Sequence, residues 1–324
     1  MTGAIRLLGV LLMVAVLYAV LLASGPNARS LGTQQTTANW LGFYGVLTVG
    51  VGVLIISGGI DLSIGSVVGL GAVCFSLLIN WGYAPALAAL IVLAGSALIG
   101  LFHGLLVTKL RLQPFLVTLC GLFIYRGLAR WFIGGKSIGL FENPDPALGE
   151  RVEFLQDLLV KGSFFGVPHQ LIVLVIVSVL LALFLHGTSH GRYLYAIGAN
   201  EDAARYAGIR TDLYKILSYV ICSTLAGLGS VLFILDKSSA NPVSAGSWLE
   251  LYAITGAVLG GCSLRGGEGT VPGMFLGAAI LPLLRQISTF WNIPSEVEYS
   301  VIGTFLLLGT IVDEFIKRRA STRR

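Results

Sequence analysis

Runs of apolar residues long enough to cross a bilayer, about 20 each, follow one another along nearly the whole chain with only short polar breaks. A soluble core has no room for so many. They lie near residues 4–23, 40–57, 64–80, 86–107, 114–133, 169–186, 214–235, 248–264, 270–288 and 297–315. Charged residues make up 11% of the 324, against about a quarter in soluble domains. The expected fold is all-α: a polytopic membrane bundle of about ten transmembrane helices, forming one domain over residues 1–324. Glycine, 42 residues in all, clusters inside the runs. The third, eighth and ninth runs are short or glycine-broken, so broken or re-entrant segments are expected there. The first run follows Arg6 and is longer than a signal-peptide core, which suits an uncleaved span.

The positive-inside rule orients this bundle. With the N-terminus inside, thirteen of the 21 Lys and Arg residues fall on the inner side, including Lys109, Arg111, Arg192, Arg205, Arg210, Lys215, Arg265 and the basic tail from Lys317 to Arg324. Five fall outside: Arg29, Lys136, Arg151, Lys161 and Lys237. Arg126, Arg130 and Arg285 lie within or near span ends; Arg126 and Arg130 suit either a water-filled cavity or snorkelling to the interface, and snorkelling is the expectation taken. Both termini are thus placed in the cytoplasm. The net charge of +5 arises largely from this asymmetry and the tail, which suits anionic lipid headgroups rather than nucleic acid. An outer loop, about 134–168, is long enough for a lid or docking surface and equally suits a solvated connector. Capping boxes Ser247-Trp248-Leu249-Glu250 and Ser295-Glu296-Val297-Glu298 are expected to open the eighth and tenth spans.

One polar cassette, 191–209, stands within a cytoplasmic loop of about 187–213. Asn200 suits an N-cap, Glu201 and Asp202 sit where the helix dipole favours acids, and Gly208 sits where a left-handed C-cap residue is expected. Arg205 lies four and three residues beyond the two acids, so local ion pairs support a helix of about two turns through Ala203 and Ala204. Such a helix buries no core of its own and reads as something for another protein to grip.

The usual catalytic signatures are missing. There is no GxSxG, HExxH or GxxxxGK[ST] motif, so the chain does not hydrolyse ATP by that loop. Cys74, Cys120, Cys222 and Cys262 form no CxxC pair, and His103, His169, His186 and His190 lack the i, i+4 spacing of a helical metal site. The histidines are read as interfacial caps, and no metal is expected. Asp61, at the head of the third span, is read as a helix cap in preference to a proton relay. Two glycine turns resemble one another: Gly58, Gly59, Asp61 and Gly65 in the first, and Gly260, Gly261, Gly266 and Gly267 in the second. Transporters often carry such internal repeats, with broken helices near the substrate path.

The run Gly58-Gly59-Ile60-Asp61-Leu62-Ser63-Ile64-Gly65-Ser66 closely resembles the GGIDLSVGS signature of permeases in the ribose, xylose and galactofuranose class of bacterial ABC sugar importers. Three further blocks follow in family order: 108–119, the cassette at 195–204, and the glycine run from Gly260. The resemblance covers about 40–315. It implies a type II importer-like permease subunit in the bacterial inner membrane, pairing with a second permease subunit as homo- or heterodimer. It also implies a cytoplasmic ATPase with two nucleotide-binding halves, which would use ATP and Mg while this chain binds no cofactor, and a periplasmic or lipid-tethered sugar-binding protein. By that analogy residues 200–208 form the coupling helix. Departures from the family pattern are Tyr252, where an acid is usual, and Glu268 in a stretch that is commonly neutral or basic.

A sugar path needs a few polar groups and aromatic faces in an apolar surround. Ser63, Asn241, Trp248 and Glu250 are the pathway candidates, with helix capping the competing role for Ser63 and Glu250. An ion-coupled secondary transporter and an ABC permease for a non-sugar solute remain the alternative functions; a membrane enzyme lacks its catalytic cluster.

Overall fold

The computed structural model describes residues 2–143 and 145–294, together with isolated positions 297, 300, 303, 304 and 307. The expected tenth span, its capping box and the basic tail fall almost entirely outside the described residues. Within them the chain forms α1 (Thr2–Ala23), α2 (Leu31–Ile56), α3 (Ile64–Asn80), α4 (Pro85–Thr108), α5 (Pro114–Phe132), α6 (Pro146–Gln156), α7 (His169–Gly187), α8 (Ser189–Ala199), α9 (Glu201–Tyr206), α10 (Thr211–Lys237), α11 (Leu249–Leu259) and α12 (Val271–Phe290). Four two-residue strands are the only extended pairs described: β1 (Ile138–Gly139) with β4 (Ser239–Ala240), and β2 (Ser163–Phe164) with β3 (Val167–Pro168), both antiparallel. By length and composition α2, α4, α5, α7, α10 and α12 are long and apolar enough to cross a membrane. α1, α3 and α11 contribute shorter apolar stretches.

The packing inverts that of a soluble bundle. On α4 the buried positions Ala88, Val92, Ser96, Gly100, His103 and Gly104 form one narrow stripe, while Leu90, Leu98 and Phe102 are exposed. Lipid is as apolar as leucine, so association between helices rests on close approach of small residues. A methyl group added at Gly104 would sit 2.8 Å from Ile216 Cα on α10. The centre of the bundle is α2, buried continuously from Gly42 to Ile56 and packed by α7, α10, α11 and α12. α1 lies against α12 through Leu17 and Leu21, which pack with Ile280, Leu283 and Leu284.

Helix α2 begins well before the expected position 40. Ser30 Oγ caps it by accepting from Thr33 N at 3.3 Å. The hydroxyls of Thr36 and Thr37 bond back to the carbonyls four residues earlier, at 2.9 Å each, so a threonine-rich stretch stays helical. Residues 134–168, the expected outer loop, are not a bare connector, because they hold α6, capped by Asp145 and packed through the buried Leu148, Val152 and Gln156.

The eighth span is the broken one. After α10 the chain pairs as β4 with β1, near Asn80 at the end of α3, and then runs without regular structure through 241–248. Ala245 packs against Gly69 and Gly246 against Gly65, near the opposite end of α3. The segment is a compact turn, with Ala245 N donating to Asn241 O at 2.7 Å and Ser247 N to Ser244 O at 3.1 Å, and it seats Ala245 and Gly246 on α3. Only then does α11 begin. The expected Ser247-to-Glu250 capping box does not form: Trp248 is the N-cap in a left-handed conformation (φ 68°), with no side-chain cap bond. Ser247 Oγ instead turns back toward Val243 O at 3.5 Å.

Candidate functional site

At the end of the bundle where α7 finishes and α10 starts, α9 forms as its residues dictate. Asn200 is extended (φ −161°) and its Oδ1 accepts from Ala203 N at 2.9 Å. Gly208 is left-handed (φ 83°), with Ile209 N donating to Ala204 O at 3.1 Å and Gly208 N to Arg205 O at 3.0 Å. That pair of bonds is a complete Schellman close. The two faces of the helix then divide. Glu201 pairs with Arg205 at 3.1 Å and with Lys215 of α10, while Arg205 also reaches Asp212 at 3.6 Å and Thr211 Oγ1 at 3.1 Å. Lys109, just past α4, binds the same Asp212 at 2.7 Å. Ala204 is buried, whereas Asp202, Ala203, Tyr206 and Ala207 face outward. Tyr206, which the sequence did not single out, is 92% exposed.

Immediately before α9, the two glycine turns meet. A Cβ at Gly266 would lie 2.8 Å from Gly198 O, and one at Gly267 2.8 Å from Ala199 N. Gly267 N donates to Ile56 O at 2.9 Å, and Gly58 faces Gly198 Cα. With φ of 88° and 75°, Gly266 and Gly267 occupy backbone conformations that only glycine takes at low cost. Tyr195 of α8 completes the junction by donating to Gly269 O at 2.8 Å; burial pushes its phenol up to about 12, so it remains a donor at neutral pH. Gly260 packs against Gly273 of α12, and Gly261 (φ 94°) turns the chain out of α11.

Deeper in the bundle lies a polar cluster at the head of α3. Asp61 is fully buried, and its Oδ1 accepts from Ser63 N at 2.7 Å and Ser63 Oγ at 2.6 Å. Asp61 thus closes an Asx turn just ahead of α3 and does not cap it as expected: Ser63 holds the N-cap position, and no side chain bonds the first free N–H groups of the helix. Its Oδ2 faces His103 Nδ1 at 3.7 Å, and neither atom has a hydrogen bond among the described residues. His103 Nε2 in turn meets Tyr125 OH at 2.9 Å. His103 is 1% exposed, which corrects its reading as an interfacial cap. Its neighbours Gly100 and Gly104, spaced one turn apart on a close-packing face, were the signal that it points inward.

Arg126 is likewise corrected. It does not snorkel: Nη1 donates to Ala245 O at 2.6 Å and to Val243 O at 3.4 Å, serving the turn that packs on α3. Non-helical backbone at membrane depth persists only where protein satisfies it. Of the other residues here, Asn241 closes its own turn by accepting from Val243 N at 2.9 Å, and bonds Ser137 Oγ at 3.2 Å. Glu250 is buried beside Gly65, with Oε2 unpartnered among the described residues, and Trp248 is 55% exposed. The structure thus gathers Asp61, Ser63, Gly65 and Glu250 in one neighbourhood and leaves Asn241 nearer β4.

Residues 34–309 match the family described as branched-chain amino acid transport system / permease component. The chain belongs to this family. The permease is 35% identical over 312 residues to the ribose import permease protein RbsC of Escherichia coli, covering 94% of this chain and 92% of that one. It is 33% identical over 318 residues to the autoinducer 2 import system permease protein LsrC of an Enterobacter species (98% and 89% covered). Identity to the fructose import permease protein FruG of Bifidobacterium longum is 31% over 271 residues (84% and 79% covered). No solved structure matches the permease. It is a multi-pass membrane protein and a transport component rather than an enzyme.

Proposed function

We propose that this permease is the membrane-spanning subunit of an ATP-driven importer that passes a monosaccharide from an extracytoplasmic binding protein into the bacterial cytoplasm. One observation carries the reading: α9 is capped at both ends and tied to α10 by its inner face, yet offers Asp202, Ala203, Tyr206 and Ala207 outward. A helix of this length, held so firmly and left bare on one face, suits a groove in a partner ATPase, with Tyr206 as the aromatic anchor. ATP and Mg would act there. The junction behind α9 joins it to both glycine turns, so movement of the ATPase reaches the broken segments as a rigid displacement. Relatives named for ribose and fructose import support a sugar as cargo.

On this reading the permease has ten spans in the inner membrane with both termini and α9 cytoplasmic. It pairs with a second permease subunit, identical or different. The path borders Trp248 and Glu250, while Ser63 and Asn241 hold the turns on either side of it. Reconstitution with the ATPase and binding protein in vesicles tests the proposal. Uptake should stop with vanadate and survive an ionophore; collapse with the ionophore alone would make it an ion-coupled transporter.

A further inference from the structure

At the end of the bundle opposite α9 there is a cavity of about 400 Å³ between α2, the start of α7, the end of α10, the 241–248 segment, α11 and α12. Such a volume is near the lower end of the roughly 300–1,000 Å³ of small-molecule sites, which suits one ring rather than two. Its walls combine aromatic faces, Trp40, Tyr44 and Tyr252 among them, with the amides of Asn39 and Gln170. Each amide supplies a donor and an acceptor, the pairing that vicinal hydroxyls demand, while aromatic faces accept the C–H side of a sugar ring. Asn39 Oδ1 is buried and has no donor among the described residues.

The charges in the wall are already engaged. Lys237 pairs with Asp236 at 2.8 Å and lies 4.7 Å over the Trp40 ring, while Arg285 donates to Tyr44 OH at 2.8 Å and stands 5.2 Å from the same indole. An ionic ligand would have to break these contacts, whereas a neutral polyol adds hydrogen bonds to them. Ser244, Gly246, Ser247 and Leu249 line the cavity too, so an occupant touches the irregular segment that packs on Gly65.

We infer that this cavity is a transient holding site for a single neutral sugar ring inside the permease. The inference rests on the proposed monosaccharide import and adds the residues that select the ring: Asn39 and Gln170. Selection here acts after release from the binding protein and before the broken segments move.

The test uses the assembled importer in proteoliposomes, with radiolabelled D-ribose and D-fructose as probes and Asn39→Leu, Gln170→Leu and the milder Gln170→Asn as variants. Each leucine variant should slow uptake of the preferred sugar about tenfold, as expected for about 1.4 kcal/mol of lost hydrogen bonding, and should change the ribose-to-fructose ratio. Gln170→Asn should fall between, and elution profile and unfolding midpoint, measured alongside, separate misfolding from lost selection. Wild-type uptake with an unchanged rate and ratio in all three variants overturns the holding site alone. Failure of the wild-type assembly to move either sugar while it hydrolyses ATP overturns the monosaccharide reading and the site with it.

Discussion

Arg126→Met should destabilise the permease far more than Arg130→Met, one turn away on the same helix. The two arginines are indistinguishable in sequence context, yet Arg126 is half-buried and bonded to Ala245 O at 2.6 Å while Arg130 is exposed. A hydrogen bond from a charged donor is worth about 1.5–3 kcal/mol, and stranding the carbonyl behind it adds about 1–3. The contact to Val243 O, at 3.4 Å, is too long to add much. Polar contacts inside membrane helices average only about 0.6 kcal/mol in measured cycles, which pulls the sum toward its lower end. A loss of about 3 kcal/mol follows for Arg126→Met, against about 0.5 or less for Arg130→Met. At roughly 2 °C per kcal/mol for a large domain, the midpoints should separate by about 5 °C. Fluorescence-detected unfolding of the purified permease in nanodiscs measures this directly. Arg126→Lys should fall between, because it keeps the charge and loses the fork. Equal midpoints for the two methionine variants would refute the claim that Arg126 holds the 241–248 turn.

Asp61→Ala removes the acceptor of two buried donors and should cost about 3–5 kcal/mol, whereas Asp61→Asn keeps an oxygen for Ser63 and should cost about 2 less; matched denaturation midpoints would show the charge, not the bonds to Ser63, to matter. Tyr206→Ala should leave the unfolding midpoint unchanged, because the ring is 92% exposed, and should lower sugar moved per ATP hydrolysed at least tenfold in vesicles. Gly267→Ala places a methyl 2.8 Å from Ala199 N at φ 75° and should cost about 2–4 kcal/mol, with uptake falling more steeply than ATP hydrolysis; retained uptake would argue against a tight junction.

What could be read from the sequence was local. The ends of α9 were legible because Asn200 and Gly208 work through bonds to residues three to five positions away, and the same chemistry operates in any fold. The start of α2 was missed because hydropathy falls at Thr33 to Thr37, although back-bonded hydroxyls let those residues stay helical. The capping box at Ser247 matched in pattern and failed in fact, since Trp248 takes a left-handed turn two residues after Gly246 packs on Gly65. Arg126 was misread for a related reason: snorkelling and capture of a distant carbonyl leave the same trace in sequence. Partners 119 residues apart, as Arg126 and Ala245 are, leave no local pattern.

The resemblance between the two glycine turns gains its meaning from where they end. Taken alone, Gly58-Gly59 and Gly266-Gly267 look like two copies of one flexible hinge. Folded, they converge on Gly198, with three backbones in contact and no side chain between them. Close-packed backbone transmits displacement with little slack, because side chains that absorb strain by changing rotamer are missing. The ion pairs around Glu201, Arg205 and Asp212 cannot do the same work, since partly exposed pairs contribute at most about 1 kcal/mol each and yield readily. On the proposed reading those charges set the angle of α9, and the glycine junction carries its motion. One arm leads through residues 57–63 to Asp61 and α3; the other leads through 260–270 to α11 and the floor of the outer cavity. On that reading a single displacement at α8 reaches the head of α3 and the start of α11 together, and these two meet again where Gly65 packs against Gly246 and Glu250.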